Sequence, residues 1–237
     1  PNLRIATGEK LQVGALVLRI VLTSLLICLA TTLAAEPDAR ILLMGDSMMA
    51  SNRFEGQSVG DFVQAETSLT VQDRSVVGAR YFYYLPLSGA TGLRLPAQYH
   101  KGDWDWVVLN GGGNDLLFGC GCGDCKRMMN RLISTDGKAG AIPELVATLR
   151  AGGAKVIYTG YLRNPGTSTP IKSCKPAGDE LDRRLAAMAS LDQGVQFLSL
   201  ADLVPYGDTS YHGIDRVHPS PKGSRAIGVR ISRLIAP

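Results

Sequence analysis

Five short apolar runs, interleaved with stretches of helical spacing, constrain this 237-residue chain more than any other feature. The runs are residues 39–44, 69–71, 106–110, 156–161 and 196–200. The helical stretches are residues 58–66, 142–151, 179–190 and 222–235. Neighbouring strands that run parallel need a crossover long enough to hold a helix, so this alternation calls for a parallel sheet covered on both faces. The expectation is a three-layer α/β/α domain of about five strands. Pro143 suits the first turn of its helix and Gly152-Gly153 ends it. The last helix follows Pro219-Ser220-Pro221 and keeps Ile227, Ile231 and Leu234 on one side. Residues 81–101 read as a long connection with short helical turns. Its Tyr81, Tyr83 and Tyr84 are either core side chains or part of a groove.

The first 35 residues differ from the rest. Arg4, Lys10 and Arg19 precede an uncharged run, residues 20–35, that ends in small side chains. A basic start, a short apolar centre and a small-residue end describe a secretory signal, with cleavage after Ala34 or Ala35. An uncleaved membrane anchor is the alternative, although the run is shorter than the ~20 residues a spanning helix needs. The expected organisation is therefore residues 1–35 as signal peptide or anchor and residues 36–237 as one domain, periplasmic or secreted. Beyond residue 35 the chain keeps 22 basic and 20 acidic side chains, a balance of +2. That balance offers no electrostatic case for binding nucleic acid.

Cysteine usage agrees with export. Cys28 lies in the signal, and Cys120, Cys122, Cys125 and Cys174 remain. An even number in an oxidising compartment favours two disulfides. Two connectivities are open: Cys120–Cys125 with Cys122–Cys174, or Cys122–Cys125 with Cys120–Cys174. A four-thiolate zinc site and a redox dithiol at Cys122-Gly-Asp-Cys125 are the rival readings.

The chemistry-bearing residues cluster after strands. Gly45-Asp46-Ser47 follows the first run, Gly78 the second and Gly112-Gly113-Asn114-Asp115 the third; Asp215-Arg216-Val217-His218 precedes the last helix. In an open parallel sheet, loops at the carboxyl ends of strands meet at one edge, where ligands bind. Ser47 is either a simple helix cap or a nucleophile beside backbone N–H groups that favour negative charge. A serine hydroxyl needs a base to take its proton, and His218 fits that role. Asp215, three residues earlier, can fix its tautomer and stabilise the imidazolium. The backbone N–H groups of Ser47 and Gly78 and the side-chain amide of Asn114 are candidate oxyanion donors. His100 belongs to the opposite edge of the sheet. His212, four residues after Asp208, is the second candidate base or a residue at the mouth of the site.

These four segments, in this order, resemble the blocks of the GDSL/SGNH hydrolase family. Gly45-Asp46-Ser47, Gly78, Gly112-Gly113-Asn114-Asp115 and Asp215-Arg216-Val217-His218 each match one block. The resemblance implies a flavodoxin-like α/β/α fold and metal-independent hydrolysis of esters without a cofactor. It also implies Ser47 as nucleophile, His218 as base, Asp215 as its partner, and Ser47, Gly78 and Asn114 as the oxyanion hole. Met48 stands where the family has leucine, a swap of similar volume. Residues 119–125 form an insert outside the family pattern, expected at the rim of the site. The expected substrates are small-molecule, glycan or lipid esters with short acyl groups, and any membrane association runs through the N-terminal segment alone. Acyl transfer to a sugar or lipid acceptor is the second reading, and a non-catalytic or thiol-redox exported protein the third.

Overall fold

The computed structural model describes residues 40–235, apart from residues 86, 88, 167 and 168. The signal or anchor expected over residues 1–35 lies outside them. Five strands form one sheet: β1 (Ile41–Met44), β2 (Val71–Asp73), β3 (Trp106–Leu109), β4 (Lys155–Thr159) and β5 (Val195–Leu198). Each pairing is parallel, and the order is β2-β1-β3-β4-β5. Among the described residues seven α-helices accompany them: α1 (Ser47–Ala50), α2 (Val59–Thr67), α3 (Gly113–Cys120), α4 (Lys126–Leu132), α5 (Ala141–Ala151), α6 (Lys175–Ala189) and α7 (Pro221–Ile235).

The alternation of side chains along each strand sorts the core into two layers. Ile41, Leu43, Trp106 and Val108 point to one face, where they meet Val59 and Val63 of α2 and Ile227 and Ile231 of α7. Leu42, Met44, Val107 and Leu109 point to the other, against Leu116, Met129, Leu132, Ile142, Leu145 and Leu185 from α3 to α6. Strands apolar on both faces are what a parallel sheet between helix layers requires. The expected three-layer architecture is therefore observed. Among the described residues no helix is long and apolar enough to cross a membrane.

The departures from expectation are local. Helix α6 starts at Lys175, four residues earlier than its spacing announces, with Pro176 in the first turn where no N–H is needed. The insert, expected as a loop, is instead the junction of two short helices, α3 and α4. The 81–101 connection has one 3-10 turn, Leu95–Gln98. Tyr81 is a core side chain, whereas Tyr84 is exposed.

The four cysteines form two disulfides, Cys120–Cys125 and Cys122–Cys174. This is the first of the two connectivities, and it leaves Cys122 and Cys125 unpaired with each other.

Candidate active site

In the order β2-β1-β3-β4, the connection from β1 runs to β2 on one side and that from β3 runs to β4 on the other, so the loops after β1 and β3 diverge and open a crevice between them. The first of them starts with Gly45, whose φ of +149° and contact with the Asn110 side chain exclude any Cβ. Asp46, not Ser47, caps α1: its carboxylate accepts from the Met48 N–H at 2.9 Å. The cap reading of Ser47 is thus corrected. Its hydroxyl is free to face the crevice, and Met48 behind it is buried as its volume allows.

His218 reaches Ser47 from the far end of the chain. His212 and Pro219 pair as an isolated antiparallel bridge, closed by Gly213 N–H donating to the His218 carbonyl at 2.8 Å. Asn52, just past α1, donates from Nδ2 to the Pro219 carbonyl at 3.0 Å and to the Ser224 hydroxyl at 2.9 Å. That side chain ties the ends of α1 and the 212–219 segment together. The result is a hydrogen-bonded row: Ser47 Oγ lies 2.8 Å from His218 Nε2, and His218 Nδ1 lies 2.5 Å from Asp215 Oδ2. The other oxygen of Asp215 accepts from the N–H groups of Val217 and His218, at 2.9 and 3.0 Å. Partial burial pushes the Asp215 carboxyl up, but the bonds from His218 and the two amides outweigh it and hold the pKa below the usual carboxylate value.

Asn114 sits in the first turn of α3 and lines the same cavity as Ser47 and His218. Its amide donates one hydrogen to the Ala79 carbonyl at 3.1 Å, which leaves the second for a ligand. Gly78 has φ +81°, and no atom lies within 4 Å of the place a Cβ would take, so conformation rather than crowding demands glycine there. Among the described residues no acceptor meets the backbone N–H of Ser47 or of Gly78. Further bonds pin the 76–82 segment. Val76 N–H donates to the Gly45 carbonyl, and the N–H groups of Tyr81 and Phe82 donate to the Asp115 carboxylate at 3.0 and 2.9 Å. Burial raises the Asp115 pKa against the pull of those two amides.

His212 does not join this group. It is buried, it is absent from the cavity wall, and its Nδ1 has no partner. Burial lowers its pKa, against the opposing pull of Asp215. Asp208 bonds Ser210 and Lys222 instead. The expectation that His212 could serve as base or line the mouth fails because its segment turns it inward. His100 stacks edge-on against Trp104 at 5.1 Å, ahead of β3 and at the opposite edge of the sheet.

A supporting network escaped the sequence reading. Asp46 is 1% exposed and accepts from Asn110 Nδ2 at 2.9 Å and from the Tyr161 hydroxyl at 2.5 Å. The same Tyr161 oxygen accepts the Gly113 N–H at 2.9 Å, so one side chain bridges the starts of α1 and α3. Burial raises the Asp46 pKa despite these bonds. Gln98 completes the frame by accepting from Gly45 N–H at 2.7 Å and donating to the Gly45 carbonyl at 2.9 Å. A polar residue ending an apolar strand, as Asn110 does, was the one sequence signal for this network.

Known proteins resemble this arrangement. The model of the GDSL-like lipase/acylhydrolase family matches residues 43–226. Among solved structures, a candidate SGNH hydrolase from Slackia heliotrinireducens superposes with a TM-score of 0.58 at 21% identity, covering 84% of this chain and 100% of its own. A candidate acylhydrolase from Bacteroides fragilis superposes with a TM-score of 0.59 at 21% identity, covering 84% of this chain and 88% of its own. A GDSL-like lipase from Bacteroides thetaiotaomicron gives 0.57 at 19% identity, covering 85% and 91%. At these identities the superpositions speak for the fold. Among curated proteins none matches the sequence.

Proposed function

This chain belongs to the GDSL-like lipase/acylhydrolase family, hydrolases of ester bonds, and we propose that it is an exported serine esterase working through an acyl-enzyme. The carrying observation is the row Ser47 Oγ, His218 Nε2, His218 Nδ1, Asp215 Oδ2, with links of 2.8 and 2.5 Å. In the proposed reaction His218 takes the Ser47 proton as the oxygen attacks the ester carbonyl. The oxyanion that forms is held by the N–H groups of Ser47 and Gly78 and by Asn114 Nδ2. The carbonyl re-forms, the C–O bond to the alcohol breaks, and His218 returns the proton to the departing alkoxide. Water then repeats the sequence on the acyl group, with His218 again as base, and restores the Ser47 hydroxyl. Asp215 holds Nδ1–H toward itself and stabilises the imidazolium formed in both halves.

Export is supported by the two disulfides together with the basic, apolar and small-residue order of the first 35 residues. The direct test is hydrolysis of a p-nitrophenyl ester by purified protein and by Ser47→Ala. The expected result is turnover in the first and loss to the buffer rate in the second, with unchanged circular dichroism. Wild-type rates in a folded Ser47→Ala protein would remove Ser47 as nucleophile.

A further inference from the structure

A cavity of about 520 Å³ opens beside Ser47 and His218. One wall is α3 and the turn after it, with Leu117, Phe118 and Cys122; the facing wall is the approach to α6 and its first two turns, with Ile171, Cys174 and Leu181. Its size falls in the range of about 300–1,000 Å³ that takes drug-sized ligands. A two-carbon acetyl group would leave most of it empty. Arg163, Asn164, Lys172 and Lys175 also line it, but apolar surface predominates and rewards apolar ligand atoms, at roughly fourfold in affinity for each methylene fully removed from water.

The two walls belong to different crossovers, one after β3 and the other after β4. Deep in the molecule they are held by Arg184 of α6, whose Nη1 donates to Asn130 Oδ1 at 2.7 Å and to the Ile133 carbonyl at 2.8 Å. At the rim the tie is covalent: Cys122 and Cys174, 52 residues apart, join one wall to the other. The second disulfide, Cys120–Cys125, closes the turn between α3 and α4 within one wall, and neither of its residues lines the cavity. The two bridges therefore do different work, although they share a seven-residue segment.

We infer that the ester taken at Ser47 carries an extended apolar arm, and that Cys122–Cys174 is a specificity-determining clamp that keeps the cavity walls together around that arm. This rests on the reading of Ser47 as the reacting residue. Without the clamp the rim parts, water enters between the walls and the arm loses contact on one side. Cys122 and Cys174 act through the wall position, so they are positioning residues and not catalytic ones.

The measurement is the ratio of kcat/KM between long and short esters on one sample, which cancels differences in the amount of folded protein. Two series are run: p-nitrophenyl octanoate against acetate, and octyl acetate against ethyl acetate. The expected ratio is at least ~10 in one of them, given roughly fourfold per buried methylene, and that series identifies which side of the ester fills the cavity. Cys122→Ser/Cys174→Ser should bring the ratio down toward unity, while Cys120→Ala/Cys125→Ala keeps it. Where the first double variant fails to fold, reduction of folded Cys120→Ala/Cys125→Ala protein with a phosphine breaks the clamp alone and should give the same fall. Flat series in the wild type overturn the apolar arm, and a ratio unmoved by loss of the bridge overturns the clamp. Binding of octan-1-ol to Ser47→Ala, read by calorimetry, separates this inference from the one beneath it. Binding to Ser47→Ala that weakens on breaking the clamp, where the wild type hydrolyses no ester, upholds the cavity and removes the esterase.

Discussion

Replacing Asp215 with asparagine should harm the enzyme more than replacing it with alanine. The reason lies in the two backbone groups that face its second oxygen. Val217 N–H and His218 N–H both donate to Asp215 Oδ1, at 2.9 and 3.0 Å. In Asp215→Asn those donors select the amide oxygen, so the NH₂ group must take the position 2.5 Å from His218 Nδ1. Two donors cannot share that contact, and His218 must carry its proton on Nε2 instead. Nε2 then donates toward Ser47 rather than accepting its proton. Turning the amide over would give up two N–H···O bonds, each worth about 0.5–1.5 kcal/mol, so the wrong arrangement is favoured by roughly 1–3 kcal/mol. With alanine at 215 nothing imposes a tautomer, because the imidazole is 38% exposed and water can reach Nδ1. Loss of imidazolium stabilisation is then the main cost. The expected kcat/KM is lower than wild type by ~10³–10⁴ for Asp215→Asn, of the order found when a triad aspartate becomes asparagine. It should be about tenfold higher for Asp215→Ala than for Asp215→Asn. The assay is steady-state hydrolysis of a chromogenic ester, with near-ultraviolet circular dichroism as a check on the fold. An asparagine variant as active as the alanine variant, or more active, refutes the argument about the two amides.

Three further outcomes follow from the structure. Asn114→Ala should lose ~10²–10³ in kcat if its free amide hydrogen holds the oxyanion, read in the same assay. Loss of its part-buried bond to the Ala79 carbonyl should cost only about 0.5–1.5 kcal/mol of stability. Burial raises the Asp182 carboxyl to about 6, with Asp179 adding to the rise and the Arg163 ion pair opposing it. Between its ordinary value near 4 and about 6 the folded state holds a proton that the unfolded chain releases, so stability falls as pH rises through that window, by on the order of 2–3 kcal/mol. Urea midpoints from pH 4 to 7 should show that decline in the wild type and a shallower one in Asp182→Asn, and equal slopes would exclude it. Cys122→Ser/Cys174→Ser opens a loop spanning 52 residues and should cost about 2–5 kcal/mol in a urea titration. A loss below about 1 kcal/mol would mean that the unfolded chain gains little freedom from the cut.

The sheet was readable because β1 and β3 are apolar at every position and β4 and β5 at most of theirs, as strands between two helix layers must be. Their ends shifted by one or two residues: the expected strands continue to Asn110 and Tyr161, whereas the ladders stop at Leu109 and Thr159. Helices α3 and α4 were not readable. Gly113, Gly119 and the glycines after it carry low helix propensity, and segments of eight and seven residues do not hold themselves helical in water. Leu116, Met129 and Leu132, packed into the core, and the two disulfides hold them. The four segments proposed to react were legible because each is short and contiguous. Their scaffold was not, because Tyr161 meets Asp46 across 115 positions and Asp115 meets Tyr81 across 34.

That division has a physical origin in the strand order. Nothing in the sequence states that β1 lies between β2 and β3, yet this order brings the loops after β1, β2 and β3 together and leaves the crevice where Ser47 and Asn114 face one cavity. The groups proposed to react need only those loops and the 212–219 segment, so they can be written as local motifs. The walls that would choose among esters come instead from residues 113–125 and 171–181, two crossovers that the order β3-β4 makes neighbours. The bridge from Cys122 to Cys174 joins those crossovers, and no local pattern announces it. A chain with the same four segments but without residues 119–125 would keep the serine, histidine and aspartate in register and lose Cys122 from the cavity wall together with the bridge to Cys174. Reaction class is therefore legible in this sequence before substrate is, because the first depends on contacts within short segments and the second on contacts between distant ones.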